Sequence, residues 1–214
     1  MESKKTAIMV LAILAIIAAV ALIAFLIVLL VGATSKKKVA QKVGIIGSVA
    51  ALVLTIGFGG GAIACKTSLD YQIAQENKKF SAAAKDFYEN YLLGAEGAEN
   101  AGNSIRNYWD DAIDKDPENF DVDKTVNKAV SKAMPDNAVA KSNLNKMEAN
   151  LKVMKKNDTG KYKISTFKNA YNTLYNWEDY VSNPTGTLTQ FSSKINNYDD
   201  KGVTAMNDLK DALK

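Results

Sequence analysis

At 214 residues, with 47% hydrophobic side chains and a formal charge of +4, the chain has room for one ordinary domain plus a membrane anchor. It holds no histidine and a single cysteine, Cys65, which excludes histidine-dependent catalysis, histidine-ligated zinc and any internal disulfide. The positive charge is local: six lysines stand against Glu2 in the stretch through Cys65, whereas residues 66–214 carry 21 basic and 22 acidic groups, a balance in which nothing suggests nucleic acid as a partner.

In chain order, the first element is the uncharged run Ala7–Val31, whose 25 residues span roughly 38 Å as a helix, enough to cross a bilayer with some tilt. A second uncharged run, Val43–Ala64, is 22 residues long and predicts a second span, so the two form a transmembrane hairpin over residues 1–65. The link between them carries Lys36, Lys37, Lys38 and Lys42, against Lys4 and Lys5 ahead of the first span. The positive-inside rule then keeps the link in the cytoplasm and sends both chain ends outward, giving a multi-pass protein of the cell membrane.

Beyond the anchor, residues 66–214 predict an extracytoplasmic, all-α bundle of about five helices with a long first helix. Leu69, Ile73, Phe80, Ala84, Phe87, Tyr91, Ala95, Ala98, Gly102, Ile105, Trp109 and Ile113 recur at helical spacing, so one helix from about Thr67 to Asp114 carries them, continuous with the second span or not. Its middle, GAEGAENAG, holds Gly94, Gly97 and Gly102, which together cost a helix about 3 kcal/mol against alanine; close approach of a neighbouring helix is the expected compensation. Pro117 stops this helix, and Asp121 or Asp123 caps the next. Val122, Val126, Val130 and Met134 predict a short second helix ended by Pro135, and Leu144, Met147, Leu151 and Met154 a third, capped by Asp136 and stopped near Gly160. A fourth carries Ile164, Phe167, Tyr171, Leu174, Trp177 and Val181. After SNPTG, a fifth carries Leu188, Phe191, Ile195, Tyr198, Met206, Leu209 and Leu213.

The chemistry-bearing patterns are sparse. Ser165 and Lys168 match S-x-x-K without an accompanying K-T-G element, and GFGGG lacks the lysine of a phosphate-binding loop. Asp114, Asp116, Glu118 and Asp121 are candidate oxygen ligands for calcium, although Asn119 stands where an EF-hand loop needs glycine and Thr125 where it needs glutamate; helix capping and solvation explain the same acids. Charge is segregated, with six basic and thirteen acidic groups in residues 66–123 and eleven basic and three acidic in 124–168. Mutual attraction of neighbouring helical layers accounts for this, and contact of the lysine-rich layer with anionic lipid or wall polymer is the sharper alternative. No cofactor is expected.

The segment from Thr34 to Cys65 resembles a bacterial lipoprotein signal, with small residues before the cysteine and Ala62 where the lipobox usually has leucine; on that resemblance Cys65 is a lipid-attachment candidate, and otherwise a small junction residue or an acylated thiol. YLLGAEGAENAGNSIRNYWDDAID and NPTGTLTQFSSKINNYDDKGVTAMNDLKDAL resemble segments of small membrane-anchored helical envelope proteins of Firmicutes and their phages. The resemblance implies a cell-envelope setting and no particular reaction or site. The expected function is therefore non-enzymatic: an envelope binding or accessory module that shields or gates a surface process, such as the way a phage enters the cell. Its partners are the membrane and another envelope protein or surface ligand. The alternative is a structural or assembly subunit of a larger membrane complex, joined through the small residues Ala15, Ala19, Gly44 and Ser48.

Overall fold

A computed structural model describes residues 2–34, 38–118 and 120–214. Lys36 and Lys37 of the link, and Asn119 of the acidic run, lie outside the described residues. The described chain is all helical: α1 (Glu2–Thr34), α2 (Lys38–Lys115), α3 (Val122–Lys156), α4 (Ile164–Ser182) and α5 (Leu188–Ala212). It divides into two compact units, Met1–Gln75 and Glu76–Lys214. The boundary expected at Cys65 falls inside α2, because the second apolar run and the first bundle helix are one uninterrupted helix.

In the first unit, α1 and α2 are each long and apolar enough to cross a membrane. Contacts move back along α1 as they move forward along α2: Leu29 lies against Gly44, Phe25 against Gly47 and Leu11 near Gly61, and the Lys4 ammonium donates to Gln72 Oε1 at 2.9 Å. The covered stripe on α2 runs through Gly44, Ser48, Ala51, Thr55, Phe58, Cys65 and Leu69 at spacings of three, four and seven. The remaining faces expose large aliphatic side chains, with Ile16 at 64%, Leu30 at 65%, Ile46 at 70% and Ile63 at 70%.

The second unit is a helical bundle. Phe80, Phe87, Tyr91 and Ile105 of α2 are fully buried, as are Met147 and Met154 of α3, Phe167 and Leu174 of α4, and Phe191 and Leu209 of α5. Phe167 meets Phe80 and Phe87 edge-on at centroid separations of 6.0 and 5.5 Å, and Trp177 stacks on Tyr198. Asp121 caps α3 by accepting from Lys124 N at 2.9 Å. Thr187 and Gln190 close a capping box at the start of α5, just after Gly186, whose φ of +94° favours glycine.

The two helices expected on either side of Pro135 are one. An interior proline costs a helix about 3 kcal/mol through its missing N–H and its ring clash. Here α3 continues because Ala129, Ala133, Ala140, Leu144 and Met147 are buried along one face across the break. Pro135 and Ser131, whose carbonyl the proline leaves without a donor, are both exposed, so water can serve it. The inward face of the first half also differs from expectation. Met134 is 61% exposed and Val122 46%, while Thr125, Ala129 and Ala133 face the core.

Candidate functional site

Small residues of α2 make the seams of the bundle. Gly94, Gly97 and Gly102 are buried in regular helix, and none has a positive φ. A Cβ added at Gly94 would stand 2.7 Å from Leu174 Cδ2 of α4 and 3.3 Å from Asn143 Cβ of α3. At Gly97 it would stand 2.8 Å from the Asp136 carbonyl oxygen and 2.9 Å from Ala140 N, so α3 approaches through its backbone. At Gly102 it would meet Ile195 Cδ1 of α5 at 3.1 Å. The three glycines thus each touch a different helix or helix pair.

A fourth glycine completes the arrangement. Gly202 of α5 would place a Cβ 2.9 Å from Trp177 Cζ3, and its carbonyl accepts from the buried Tyr91 hydroxyl at 2.9 Å. Burial pushes the Tyr91 hydroxyl pKa well above its ordinary value, so the group stays neutral and donating. Gly202 lies on the same stripe as Ile195 and Leu209, four residues after Tyr198, and the reasoning applied to Gly102 would have found it.

The carboxylates proposed for calcium do not form a metal site. Among the described residues, no group of three or more His, Cys, Asp or Glu side chains is placed to hold a metal ion. Asp114, Asp116, Glu118 and Asp121 are all exposed, and Asp121 is committed to the α3 cap. Asp121 and Asp123 line an open cleft of about 740 Å³ together with Lys124, Lys128 and Lys132. Lysines therefore supply the counter-charge there, and Lys132 also sits 4.4 Å above the Tyr108 ring.

Cys65 is partly covered, in the middle of α2, on the stripe of small residues that also carries Gly44 and Ala51. Gly44 is taken up by Leu29 of the same chain, and Ala15 and Ala19 are partly covered, so part of the small-residue surface expected to meet other proteins is used internally. Ser165 and Lys168 are both exposed on the first turn of α4, and no hydrogen bond joins them. A polar cluster joins α3 to α4: Ser182 Oγ donates to Glu178 Oε1 at 2.9 Å, and Asn137 Nδ2 reaches Ser182 Oγ at 2.6 Å and Glu178 Oε1 at 3.3 Å. Glu178 is buried, and its carboxylate is shared between Ser182 and Asn137, so the cluster fastens α3 to α4. No protein family, curated protein or solved structure matches the chain.

Proposed function

We propose that the chain is a membrane-anchored, non-enzymatic binding or accessory module of the cell envelope. In this reading α1 and the first part of α2 form a transmembrane hairpin, and residues 76–214 form a bundle outside the cytoplasm, held there to meet a surface ligand or another envelope protein. The observation that carries the reading is the contrast between the two units: the first leaves Ile16, Leu30, Ile46 and Ile63 at least 64% exposed, while the second fully buries Phe80, Phe87, Tyr91, Phe167, Trp177 and Phe191. Aliphatic faces of that size are costly in water and favourable in lipid. The 17 Leu, Ile, Val and Phe residues of Ala7–Val31 favour insertion by about 5 to 10 kcal/mol at 0.3 to 0.6 each, an upper range because the weights apply near the bilayer centre. Lysines in the link favour the outward orientation.

The experiment uses a photo-crosslinking amino acid at exposed bundle positions Glu89, Lys141 and Asp200 of the intact chain in its native membrane. A binding module gives one discrete adduct, and the adduct survives exchange of residues 1–64 for an unrelated two-span anchor. An adduct lost on that exchange would instead make the protein an assembly subunit joined through its spans, and absence of any adduct would contradict a recognition role.

A further inference from the structure

Residues far apart in sequence build a second cleft in the bundle, of about 510 Å³, walled by Ser81, Ala84 and Lys85 of α2, by Lys161, Tyr162 and Lys163 between α3 and α4, and by Ala212, Leu213 and Lys214 at the end of α5. Among the described residues, no Asp or Glu side chain lines it. The 740 Å³ cleft is the useful contrast, since there Asp121 and Asp123 stand among the lysines. Lys214 has a counter-charge, its ammonium lying 2.6 Å from Asp211 Oδ1. Among the described residues no carboxylate pairs with Lys85, Lys161 or Lys163, which remain as three cations around one concavity.

The segment that carries two of these lysines is fastened in place. The Tyr162 ring stacks on the buried Phe80 at 4.6 Å with the planes 7° apart, and the Thr159 hydroxyl donates to Asn77 Oδ1 at 2.6 Å. Asp158 Oδ1 accepts from Gly160 N, and Gly160 takes the φ of +81° that lets the chain turn there. Lys161 bends over the Tyr162 ring, 5.1 Å from its centroid. The backbone under Lys161 and Lys163 is thus set before any ligand arrives, which lowers the ordering cost of binding.

Like charges gathered in a concave, partly apolar recess raise the local positive potential, and an anion with several oxygens relieves it by accepting charge-assisted hydrogen bonds. We propose that this cleft binds a phosphate- or phosphodiester-bearing anion, held by Lys85, Lys161 and Lys163 with the Ser81 hydroxyl as an uncharged donor. A lipid headgroup and a soluble phosphate compound offer the same chemistry. The site lies wholly within residues 76–214, so it stands whichever way the anchor is oriented.

The test compares the full chain in neutral maltoside micelles with two variants of equal charge. One is Lys85→Gln with Lys161→Gln and Lys163→Gln; the other is Lys141→Gln with Lys146→Gln and Lys155→Gln, on exposed positions of α3. Isothermal titration with sodium pyrophosphate probes a soluble phosphate, and native mass spectrometry of retained phosphatidylglycerol against phosphatidylcholine probes a headgroup. Loss of three charge-assisted contacts is expected to weaken one or both probes at least about tenfold in the cleft variant and less than about twofold in the α3 variant. Pyrophosphate binding alone identifies a soluble ligand, and phosphatidylglycerol retention alone a lipid. Equal weakening in both variants, or no binding of either probe beyond the phosphatidylcholine level, overturns the proposal. All six lysines are exposed, so the variants leave the core intact, and circular dichroism melts confirm equal folding.

Discussion

Substituting Gly97→Ala sets two opposing effects against each other on one atom. Alanine in a helix interior is favoured over glycine by about 1 kcal/mol, through propensity and the smaller freedom of the unfolded chain. Against this, the new methyl would lie 2.8 Å from the Asp136 carbonyl oxygen, 2.9 Å from Ala140 N and 3.2 Å from Val139 Cβ. The two closest atoms belong to the backbone of α3, which cannot rotate aside as a side-chain terminus can, so the helices must separate. Overpacking of this kind costs about 1 to 3 kcal/mol, and its upper half applies where backbone meets backbone. The net expectation is destabilisation by about 1 to 2 kcal/mol for Gly97→Ala. Gly94→Ala is milder because its nearest obstacle is the Leu174 Cδ2 methyl, and Gly102→Ala is close to neutral because Ile195 stands at 3.1 Å and needs to yield only slightly. The assay is denaturant unfolding of the intact chain in micelles, followed by tryptophan fluorescence. Both tryptophans, Trp109 and Trp177, are buried in the bundle, so the signal reports that unit alone. A Gly97→Ala protein as stable as its parent or more so, with unchanged helical content, refutes the reasoning, as does a reversed order of Gly97 and Gly102.

Tyr91→Phe removes the donor to the Gly202 carbonyl and should destabilise the bundle by about 1 to 2 kcal/mol in the same melts. Because burial raises the Tyr91 pKa above its unfolded value near 10, its contribution is fully present below pH 10 and is lost above it as the unfolded chain releases the proton first. Stability should therefore fall above pH 10, and the fall should be shallower by up to about 1.4 kcal/mol per pH unit in Tyr91→Phe. Pro135→Ala restores a donor to the Ser131 carbonyl at an exposed position and should stabilise α3 by about 1 kcal/mol or more; a destabilised variant would mean that the proline is needed to shape the contact with Gly97. Cys65→Ser should leave apparent mass and membrane association unchanged, since the thiol occupies a packing stripe; a mass shift of the parent protein that the substitution abolishes would identify lipid attachment instead.

Long aromatic and aliphatic repeats were readable in the sequence because large side chains at helical spacing have few alternatives to a core. Phe167, Leu174, Trp177 and Val181 of α4, and Phe191, Ile195 and Leu209 of α5, are buried as their spacing predicts. Alanine and glycine positions were harder to read, since their value depends on what stands opposite. Ala129 and Ala133 of α3 are buried while the more hydrophobic Val122 and Met134 are exposed. Pro135 misled for a related reason: a local break was outweighed by burial on both sides of it, which no local signal records. The acids from Asp114 to Asp121 suggested a ligand set through proximity in sequence, whereas in the fold Asp114 sits in α2, Asp116 and Glu118 in the connection, and Asp121 caps α3. The Lys85, Lys161 and Lys163 cleft was illegible for the opposite reason, as Lys85 lies more than seventy residues from the Lys161–Lys163 segment and the two share a cleft only in the fold, where Tyr162 is stacked on Phe80.

The central claim, a bundle held outside the cytoplasm by two spans, is tested most directly by labelling intact protoplasts with a membrane-impermeant maleimide. In a Cys65→Ser background, single cysteines are introduced as Glu89→Cys on the bundle and Thr34→Cys at the end of α1, both exposed positions. The account predicts that Glu89→Cys is labelled at once and Thr34→Cys only after the membrane is permeabilised. Labelling of Thr34→Cys in intact protoplasts while Glu89→Cys stays protected would invert the topology, and equal labelling of both before permeabilisation would contradict the membrane hairpin itself.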